Sequence, residues 1–508
     1  MSPDIHGRIV YARIDELVER LPFGSIILGW YGLLALVILV GVIARFYHIG
    51  DESLWLDEAL SVEFVTTMDL QELAVELPRR DPHPPFYYLL LDGWVRLFGT
   101  GEVAVRSLSA LLGIASIPVL YAVATRLYDR SVGIIAALLF ALSPFYIWYA
   151  QETRMYALAT FLTLVSFYFL LSMGRSFSYQ VAAGYLIATI LLGYTHVFGW
   201  FIILAQNLAI GWVLVRNRQS DDLPTAGALS IKRWVTLQAI IGVSLVPYLW
   251  ILYEQYFRDR VLEGYIAWIP EPTGETLWGI LGAYFGVRFS TVATGLAALA
   301  IVLIMLALLT DWRERPRDGP FAATPTLVFW AAVPIGVPFV LSYLMTPLLI
   351  DRYTAVAGVA VFILVARGIQ VLGRTPRGGI ALAIVIGLVL TVPLAGMYAD
   401  PHKEQWEETV DLVESTAGDD ALVLLSPHHP SYEYYATDED LRIEGTPWEF
   451  TRDDIVPLMA GHDEIWLVLS HTSPEEEAKL HDIFEAEGYT VEHEEHFIGI
   501  QIYRYVSH

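Results

Sequence analysis

The chain has 508 residues, of which 55% are hydrophobic and only 17% are charged. A charged fraction well below the usual ~25% cannot cover so much apolar surface with water-facing side chains. The composition therefore argues against a string of soluble domains and, with a mean hydropathy of +0.49, predicts a polytopic membrane protein. The chain contains no cysteine, which excludes a disulfide framework, a thiolate zinc site and a cysteine nucleophile.

The acidic residues are unevenly distributed along the chain. The formal net charge is -24, and 27 of the 55 acidic residues lie in 400–508. Lysine is almost absent, with only Lys232, Lys403 and Lys479. An acid-rich, lysine-poor solvent-facing part is typical of proteins bathed in high salt and favours a halophilic source. An ordinary acidic domain is the alternative.

Eleven apolar runs have about the length that crosses a bilayer, near ~20 residues each. They lie at 25–45, 104–126, 132–150, 153–173, 180–195, 197–215, 235–254, 291–310, 325–344, 353–372 and 378–398. Short cytoplasmic loops are enriched in arginine and lysine. A cytoplasmic N-terminus gives the inner loops a consistent basic set: Arg126, Arg130, Arg175, Arg216, Arg218, Lys232, Arg233, Arg313, Arg315, Arg317, Arg374 and Arg377. It puts 46–103, 255–290, 345–352 and the tail from 400 on the outer side.

Two domains are predicted. Residues 1–399 form a transmembrane domain, in which 46–103 is a first outer loop with juxtamembrane helices. Segment 84–99 is apolar but short, and its proline start predicts a helix lying in the interface. Residues 400–508 form an acidic soluble α/β domain on the outer side, with strand-like runs at 421–427, 464–471 and 497–506 and a helix at 474–489 that Gly488 ends.

Polar residues that chemistry could use collect at the outer ends of the apolar segments. Ionisable residues there are costly unless solvated or paired, so the set indicates a functional site. Each member has a simpler explanation: Asp57 and Glu58 as helix-start acids, Glu152 and Arg154 as a structural ion pair, His196 and Arg352 as interfacial anchors. The set is less easily explained that way than its members.

Five motifs occur in an order and spacing that resemble one enzyme group: LWLDEALSV, DPHPPFYYLLL, SPFYIWYAQETRMYAL, GYTHVFGWF and IDRYTAVAG. Over roughly residues 25–400 the chain is similar to bacterial and archaeal GT-C glycosyltransferases, in particular the protein O-mannosyltransferase-like and aminoarabinose-transferase-like family. The resemblance implies a mainly α, GT-C-like bundle of about eleven transmembrane helices with outer juxtamembrane helices.

The resemblance also implies roles for individual residues. Asp57 would be the catalytic base, with Glu58 in support and Asp81 completing the catalytic set. The predicted substrate-binding residues are His83, Glu152, Arg154, Tyr156, His196, Arg258, Arg352 and Tyr353. Asp81 and His83 are the candidate ligands for a divalent metal, the one cofactor considered. Relatives of the aminoarabinose type often have Glu-Lys where this chain has Pro82-His83, which puts metal binding in doubt.

The implied reaction moves a sugar from a polyprenyl or dolichyl phosphate to an acceptor hydroxyl on the outer face of the membrane, with inversion. The expected partners are that lipid donor, a glycan, lipid or protein acceptor, and membrane lipid, with no nucleic acid. Two other classes stay open: a transporter or flippase of lipid-linked sugars, and a non-catalytic envelope protein. The first would have midplane charges and an internal repeat, neither of which is visible in the sequence.

Overall fold

The structure is a computed structural model that describes residues 29–218, 229–258, 266–314, 323–418, 420–438 and 440–507. The described chain packs into two compact units. The first comprises 29–47, Leu70–Leu89 and Ser107–Met397, and the second comprises His48–Asp69, Leu90–Arg106 and the tail from Tyr398. The second unit therefore combines parts of the first predicted outer loop with the C-terminal tail.

Helices dominate residues 29–399. In chain order they are α1 Trp30–Phe46, α2 Leu56–Thr67, α3 Leu77–Arg80, α4 Phe86–Phe98, α5 Glu102–Leu127, α6 Arg130–Leu142, α7 Pro144–Trp148, α8 Tyr156–Arg175, α9 Tyr179–Gly193, α10 Phe198–Arg218, α11 Ile231–Tyr253, α12 Gly274–Tyr284, α13 Val292–Glu314, α14 Ala323–Leu341, α15 Ala355–Gly373 and α16 Pro376–Ala399. A π-helical turn, Glu72–Glu76, precedes α3, and a 3-10 turn, Arg352–Thr354, precedes α15.

Seven helices in the described ranges are long and apolar enough to cross a membrane: α5, α8, α11, α13, α14, α15 and α16. Three shorter apolar helices, α1, α6 and α9, and the apolar part of α10, Phe198–Val213, correspond to the other four predicted segments. The most hydrophobic stretch of α15 is 78% buried within the protein and that of α11 only 22%. Helix α15 is thus central to the bundle, whereas α11 has an apolar surface suited to lipid.

The tail forms a small α/β layer in the second unit. Its helices are α17 Trp406–Thr416, α18 Pro430–Tyr435, α19 Arg452–Met459 and α20 Pro474–Ala486, and its strands are β1 Leu422–Ser426, β2 Arg442–Gly445, β3 Glu464–Ser470, β4 Tyr489–Phe497 and β5 Ile500–Ser507. The strand order is β2-β1-β3-β5-β4. Strands β1, β2 and β3 are parallel, and β5 runs antiparallel to both β3 and β4.

The fold class is as predicted, a mainly α membrane protein with a C-terminal α/β part. In the tail, sequence patterns located β1, β3, α20 and β5. They missed β2, which is only four residues long, and β4, whose residues are mostly exposed and polar. An exposed edge strand has no apolar alternation to reveal it. Helix α20 ends at Ala486, and Gly488 adopts a positive φ of 88° two residues later.

Candidate active site

The segment Asp81-Pro82-His83-Pro84 holds an acid and an imidazole side by side in the first unit. A residue that precedes proline is pushed towards extended backbone, and Asp81 has φ -110° and ψ 139°. Its carboxylate oxygen Oδ1 accepts a hydrogen bond from the His83 backbone N–H at 2.8 Å and lies 2.9 Å from His83 Nδ1. The prolines thus fix the acid and the imidazole in mutual contact.

Backbone and side-chain contacts hold this segment in place. Gln255 Nε2 donates to the carbonyl oxygens of Pro78, at 2.7 Å, and Asp81, at 3.0 Å. The Tyr248 hydroxyl donates to the Pro82 carbonyl at 3.2 Å. The Phe86 N–H donates to the Tyr194 carbonyl at 3.0 Å, which joins the start of α4 to the turn that carries His196.

His83 and Arg154 stabilise the negative charge of Asp81. The Asp81 side chain is buried, and burial alone would raise its pKa. The charge and hydrogen bonds of His83, assisted by the charge of Arg154, outweigh that effect and hold the pKa of Asp81 below its ordinary value. Arg154 is itself buried, and its Nη2 lies 3.4 Å from the His83 ring nitrogens. Asp81, His83 and Arg154 therefore form one ionic cluster.

An aromatic group containing His196 adjoins that cluster. The His196 ring lies 6.1 Å from His83, 5.9 Å from Tyr156 and 5.1 Å from Tyr353, measured between ring centroids. Burial lowers the pKa of His196 well below its ordinary value, and the charges of His83, Arg154 and Arg352 lower it further. The imidazole is therefore neutral at physiological pH.

The tautomer of His196 follows from its hydrogen bonds. Its Nδ1 accepts the Phe198 backbone N–H at 3.1 Å, so the proton of the neutral ring is on Nε2. Nε2 is buried and has no hydrogen-bond partner among the described residues. A buried donor without a partner is costly in an apolar setting, and a ligand oxygen would satisfy it.

A cavity opens beside these polar groups. It contains about 750 Å³ of atom-free space, including the part open to solvent. His83, His196 and Tyr353 line it together with an apolar set: Val197, Phe198, Phe201, Leu252, Ile266, Leu341, Met345 and Leu348. The cavity thus combines an apolar wall with a few polar groups, which is the usual make-up of a small-molecule site.

Three predicted binding residues of the first unit remain, Glu152, Arg258 and Arg352, and the structure describes the side chains of Glu152 and Arg352. Arg352 follows Asp351, whose carboxylate accepts the Arg352 N–H, and its guanidinium carbon lies 5.3 Å from the centre of the Trp268 ring. Glu152 is buried. Its negative charge and the positive charge of Arg352 act on the Tyr149 hydroxyl in opposite directions. The side chain of Arg258 lies outside the described residues.

The second unit contains the other two predicted catalytic acids. Glu58 is fully buried, and its carboxylate accepts hydrogen bonds from Arg106 Nε and Nη2 at 2.9 and 2.8 Å and from Lys403 Nζ at 2.8 Å. Burial would raise the pKa of Glu58, but the two cations outweigh it and lower the pKa to about 2. Glu58 is therefore a buried anion with both oxygens in use.

Asp57 precedes Glu58 and is only partly buried, in the first turn of α2. The pKa of His471 in the tail is raised chiefly by the hydrogen bond that His471 donates to Glu404, and the negative charge of Asp57 adds to this effect. The adjacent acids thus differ in environment, because the helix turns Glu58 towards the interior and leaves Asp57 accessible to solvent.

Sequence reasoning missed several residues that shape these sites. Tyr248 and Gln255 support the Asp81 segment, and Arg106 and Lys403 neutralise Glu58. Lys403 could have been singled out as one of only three lysines in an acid-rich chain. The described residues also contain one group of three metal-ligand side chains with converging atoms, Glu404, His429 and His471, and Asp81 and His83 are not part of it.

Comparison with known proteins places the fold. Residues 82–223, less than half of the chain, match the family model described as dolichyl-phosphate-mannose-protein mannosyltransferase. ArnT of Cupriavidus metallidurans, solved with undecaprenyl phosphate, is similar in structure, with a TM-score of 0.60 and 14% identity over 95% of this chain and 98% of that one. No curated protein matches the chain in sequence.

The oligosaccharyltransferase of Archaeoglobus fulgidus, solved with zinc and sulfate, is similar with a TM-score of 0.51 and 11% identity, over 86% of this chain and 67% of that one. In the inhibitory-peptide and dolichol-phosphate complex of AglB from the same organism, the corresponding values are 0.50, 11%, 93% and 74%. This chain therefore shares its fold with ArnT and with the archaeal oligosaccharyltransferase.

Proposed function

We propose that this protein is a membrane glycosyltransferase that moves a sugar from a polyprenyl phosphate to an acceptor hydroxyl. The observation that carries the proposal is the cavity in the first unit. Its apolar wall suits a prenyl chain, and His83, His196 and Tyr353 give it a polar side. ArnT, whose fold is similar, was solved with undecaprenyl phosphate. That ligand has an apolar chain and an anionic head, which correspond to the apolar wall and the polar side of the cavity.

Phosphate recognition is assigned to the polar groups at the cavity. The neutral His196 offers its Nε2–H to a phosphate oxygen, which would satisfy a buried donor that has no partner in the described residues. Arg154 and Arg352 supply the positive potential that already acts on His196. Arginine suits a phosphate because its planar guanidinium can make two parallel hydrogen bonds. Tyr156 belongs to the same aromatic group, and Glu152 and Arg258 complete the proposed binding set.

The proposed reaction is a single displacement with inversion. Asp57 takes the proton of the acceptor hydroxyl as that oxygen bonds to the anomeric carbon. The bond between that carbon and the donor phosphate oxygen breaks, and polyprenyl phosphate leaves with the electron pair. A lipid phosphate is already a good leaving group, so one base is enough and the carboxylate pair of a glycosidase is unnecessary.

The three proposed catalytic acids have different environments. Asp57 keeps solvent access, which suits exchange of its proton. Glu58 is neutralised by Arg106 and Lys403, so we assign it the supporting role of fixing the helix turn that presents Asp57. Asp81 is assigned to orient His83 through their 2.9 Å contact. With His83 it remains the proposed place for a divalent metal should the reaction use one.

The proposal includes a sidedness. The N-terminus is cytoplasmic, and the reaction and the C-terminal α/β part are on the outer face of the cell membrane. The arginine bias of the loops supports this arrangement. Within the proposal, the acid-rich composition of 400–508 favours a halophilic archaeal source, and dolichyl phosphate is then the expected donor lipid.

Reconstitution tests the function. Purified protein in proteoliposomes is supplied with a panel of dolichyl-phosphate and undecaprenyl-phosphate sugars, and surface material from a deletion strain serves as acceptor. Sugar-dependent release of polyprenyl phosphate, read by mass spectrometry, is expected for one member of the panel. Movement of the donor across the bilayer without release would indicate a flippase. If neither occurs, the protein is an envelope component without catalysis.

A further inference from the structure

Three side chains of the types that bind metal ions, Glu404, His429 and His471, converge beside the carboxyl ends of β1 and β3 in the C-terminal sheet. The chain leaves β1 for its neighbour β2 on one side and then returns to β3 on the other side of β1. Successive connections therefore diverge at the carboxyl ends of the parallel strands β1 and β3, the position where open α/β sheets bind ligands. His429 follows β1, and His471 is the first residue after β3.

His429 is fully buried, and its Nε2 has no hydrogen-bond partner within the described part of the chain. That atom lies 3.6 Å from Glu404 Oε2, beyond a normal hydrogen bond. The imidazole stacks on Trp406, with ring centroids 4.2 Å apart, and runs parallel to the His471 ring at 5.9 Å. Packing thus holds this nitrogen beside a carboxylate without completing a bond.

His471 and Glu404 approach the same point. His471 Nε2 lies 2.7 Å from Glu404 Oε1, and the candidate ligand atoms of all three residues lie within 4.8 Å of one another. His471 has a φ of 59°, in the left-handed region that histidine adopts more readily than most non-glycine residues, and this backbone conformation sets the direction of its side chain.

The Glu404 side chain is held by its surroundings. Trp406 Nε1 donates to Glu404 Oε2 at 2.7 Å. Gly499, with a φ of 73°, leaves the space that Glu404 uses, because a Cβ at Gly499 would lie 2.7 Å from Glu404 Cγ. Ligands held by such outer contacts are a regular feature of metal sites.

We propose that Glu404, His429 and His471 bind a divalent transition metal ion, with Zn²⁺ as the preferred ion. Two imidazoles and one carboxylate are a common zinc set with a fourth position open. Ligand atoms about 2.1 Å from a tetrahedral ion lie about 3.4 Å apart, so the three side chains need to shift by about 1 Å or less. The metal would link the segment before α17 to the ends of β1 and β3.

Binding requires a defined movement of protons. The proton shared by His471 and Glu404 is released to solvent. The proton of neutral His429 must lie on Nδ1 when Nε2 binds the ion. Nδ1 now accepts the Ser431 N–H at 3.4 Å, a long contact. The Ser431 hydroxyl is buried and has no partner among the described residues, and in the metal-bound form we assign it as the acceptor of the hydrogen bond from Nδ1–H.

Metal binding by the full-length protein, purified without a histidine tag and treated with chelator, tests the site. Titration with Zn²⁺ should show one tight equivalent and raise the unfolding temperature, and Co²⁺ should give the strong visible absorption of a four-coordinate ion. His471→Asn keeps a residue that tolerates positive φ and removes the imidazole. It should weaken Zn²⁺ binding by about 100-fold or more, since loss of outer contacts alone costs ~10–100-fold.

Two further variants make the result decisive. Glu404→Gln keeps the shape of the side chain and removes its charge, and it should also abolish the tight equivalent. His496→Asn changes an exposed histidine paired with Glu494 on β4 and should bind as the unchanged protein does. Zinc binding that persists equally in His471→Asn and Glu404→Gln would mean an adventitious ion only and would overturn the proposal, as would no tight equivalent in the unchanged protein.

Discussion

Arg106 places Nε and Nη2 of its guanidinium on the two carboxylate oxygens of Glu58, at 2.9 and 2.8 Å, in a setting where both side chains are buried. The remaining Arg106 donors are used by the carbonyl oxygens of Ile49, Glu52 and Ser53. One side chain thus closes the loop before α2 and fixes its first turn. Glu58 is the centre of this arrangement, which explains an adjacent acid pair in which only Asp57 keeps access to solvent.

Replacing Glu58 by Gln should strongly destabilise the second unit. The change leaves Arg106 and Lys403 buried without their counter-charge, and breaking a buried pair in this way costs about 3–5 kcal/mol. The measurement is thermal unfolding of the purified protein in detergent. Glu63→Gln, on the same helix and half-buried, is the matched control and should change stability by about 0.5 kcal/mol or less. Equal unfolding temperatures for the two variants would contradict the anchoring role of Glu58.

Acid should weaken the same arrangement. The pKa of Glu58 is about 2 in the folded protein against an ordinary value of 4.5. A lowered folded-state pKa gives stability that is fully present above about pH 4.5 and is lost as the pH falls towards 2. The loss amounts to about 3 kcal/mol. As the pH falls through this range, the unfolding temperature should fall less steeply for Glu58→Gln than for the unchanged protein. Asp81 and Glu404 also have lowered pKa values, and their loss of stability in acid is common to both proteins. Parallel curves would contradict the assignment.

Hydrophobic runs predicted the membrane part of the fold well. All eleven apolar segments correspond to helices, because burial in protein or lipid requires long apolar stretches with internally satisfied backbone groups. Local patterns could not predict which segments of the chain would form the second unit. The Glu58–Lys403 contact joins residues 345 positions apart, and no local pattern specifies such a pair.

Motifs likewise indicated which residues of the first unit would meet. Asp81, His83, Arg154, Tyr156, His196 and Tyr353 come from four separate motifs and lie in one cluster. The group of Glu404, His429 and His471 could not be found this way, because it depends on strand order: two histidines 42 residues apart meet only once β1 and β3 are adjacent.

Filling the cavity should weaken donor binding. Leu341 lines it, whereas the neighbouring Val340 is exposed. Leu341→Trp places a bulky ring where the prenyl chain is proposed to lie, and overpacking of this kind is not readily absorbed. We expect at least about a tenfold weaker affinity for polyprenyl phosphate, about 1.4 kcal/mol, measured by displacement of a fluorescent prenyl phosphate. Val340→Trp should bind normally. Equal affinities for the two variants would place the lipid elsewhere.

The proposed sidedness can be tested with single cysteines, since the chain has none of its own. Ser415→Cys lies on an exposed position of α17, and Tyr179→Cys lies at the exposed start of α9. A membrane-impermeant maleimide applied to intact cells should label Ser415→Cys and should reach Tyr179→Cys only after lysis. The cysteine-free protein gives the background. The opposite labelling pattern would invert the topology.

The central claim is that Asp57 is the base in sugar transfer from a polyprenyl phosphate. Asp57→Asn keeps the shape of the side chain and removes its basicity, and Asp51→Asn makes the same change at an exposed acid six residues earlier. In the reconstituted assay, Asp57→Asn should bind the lipid donor normally and transfer the sugar about 100-fold or more slowly, while Asp51→Asn transfers at the normal rate. Transfer by Asp57→Asn at the rate of the unchanged protein would contradict the proposed mechanism.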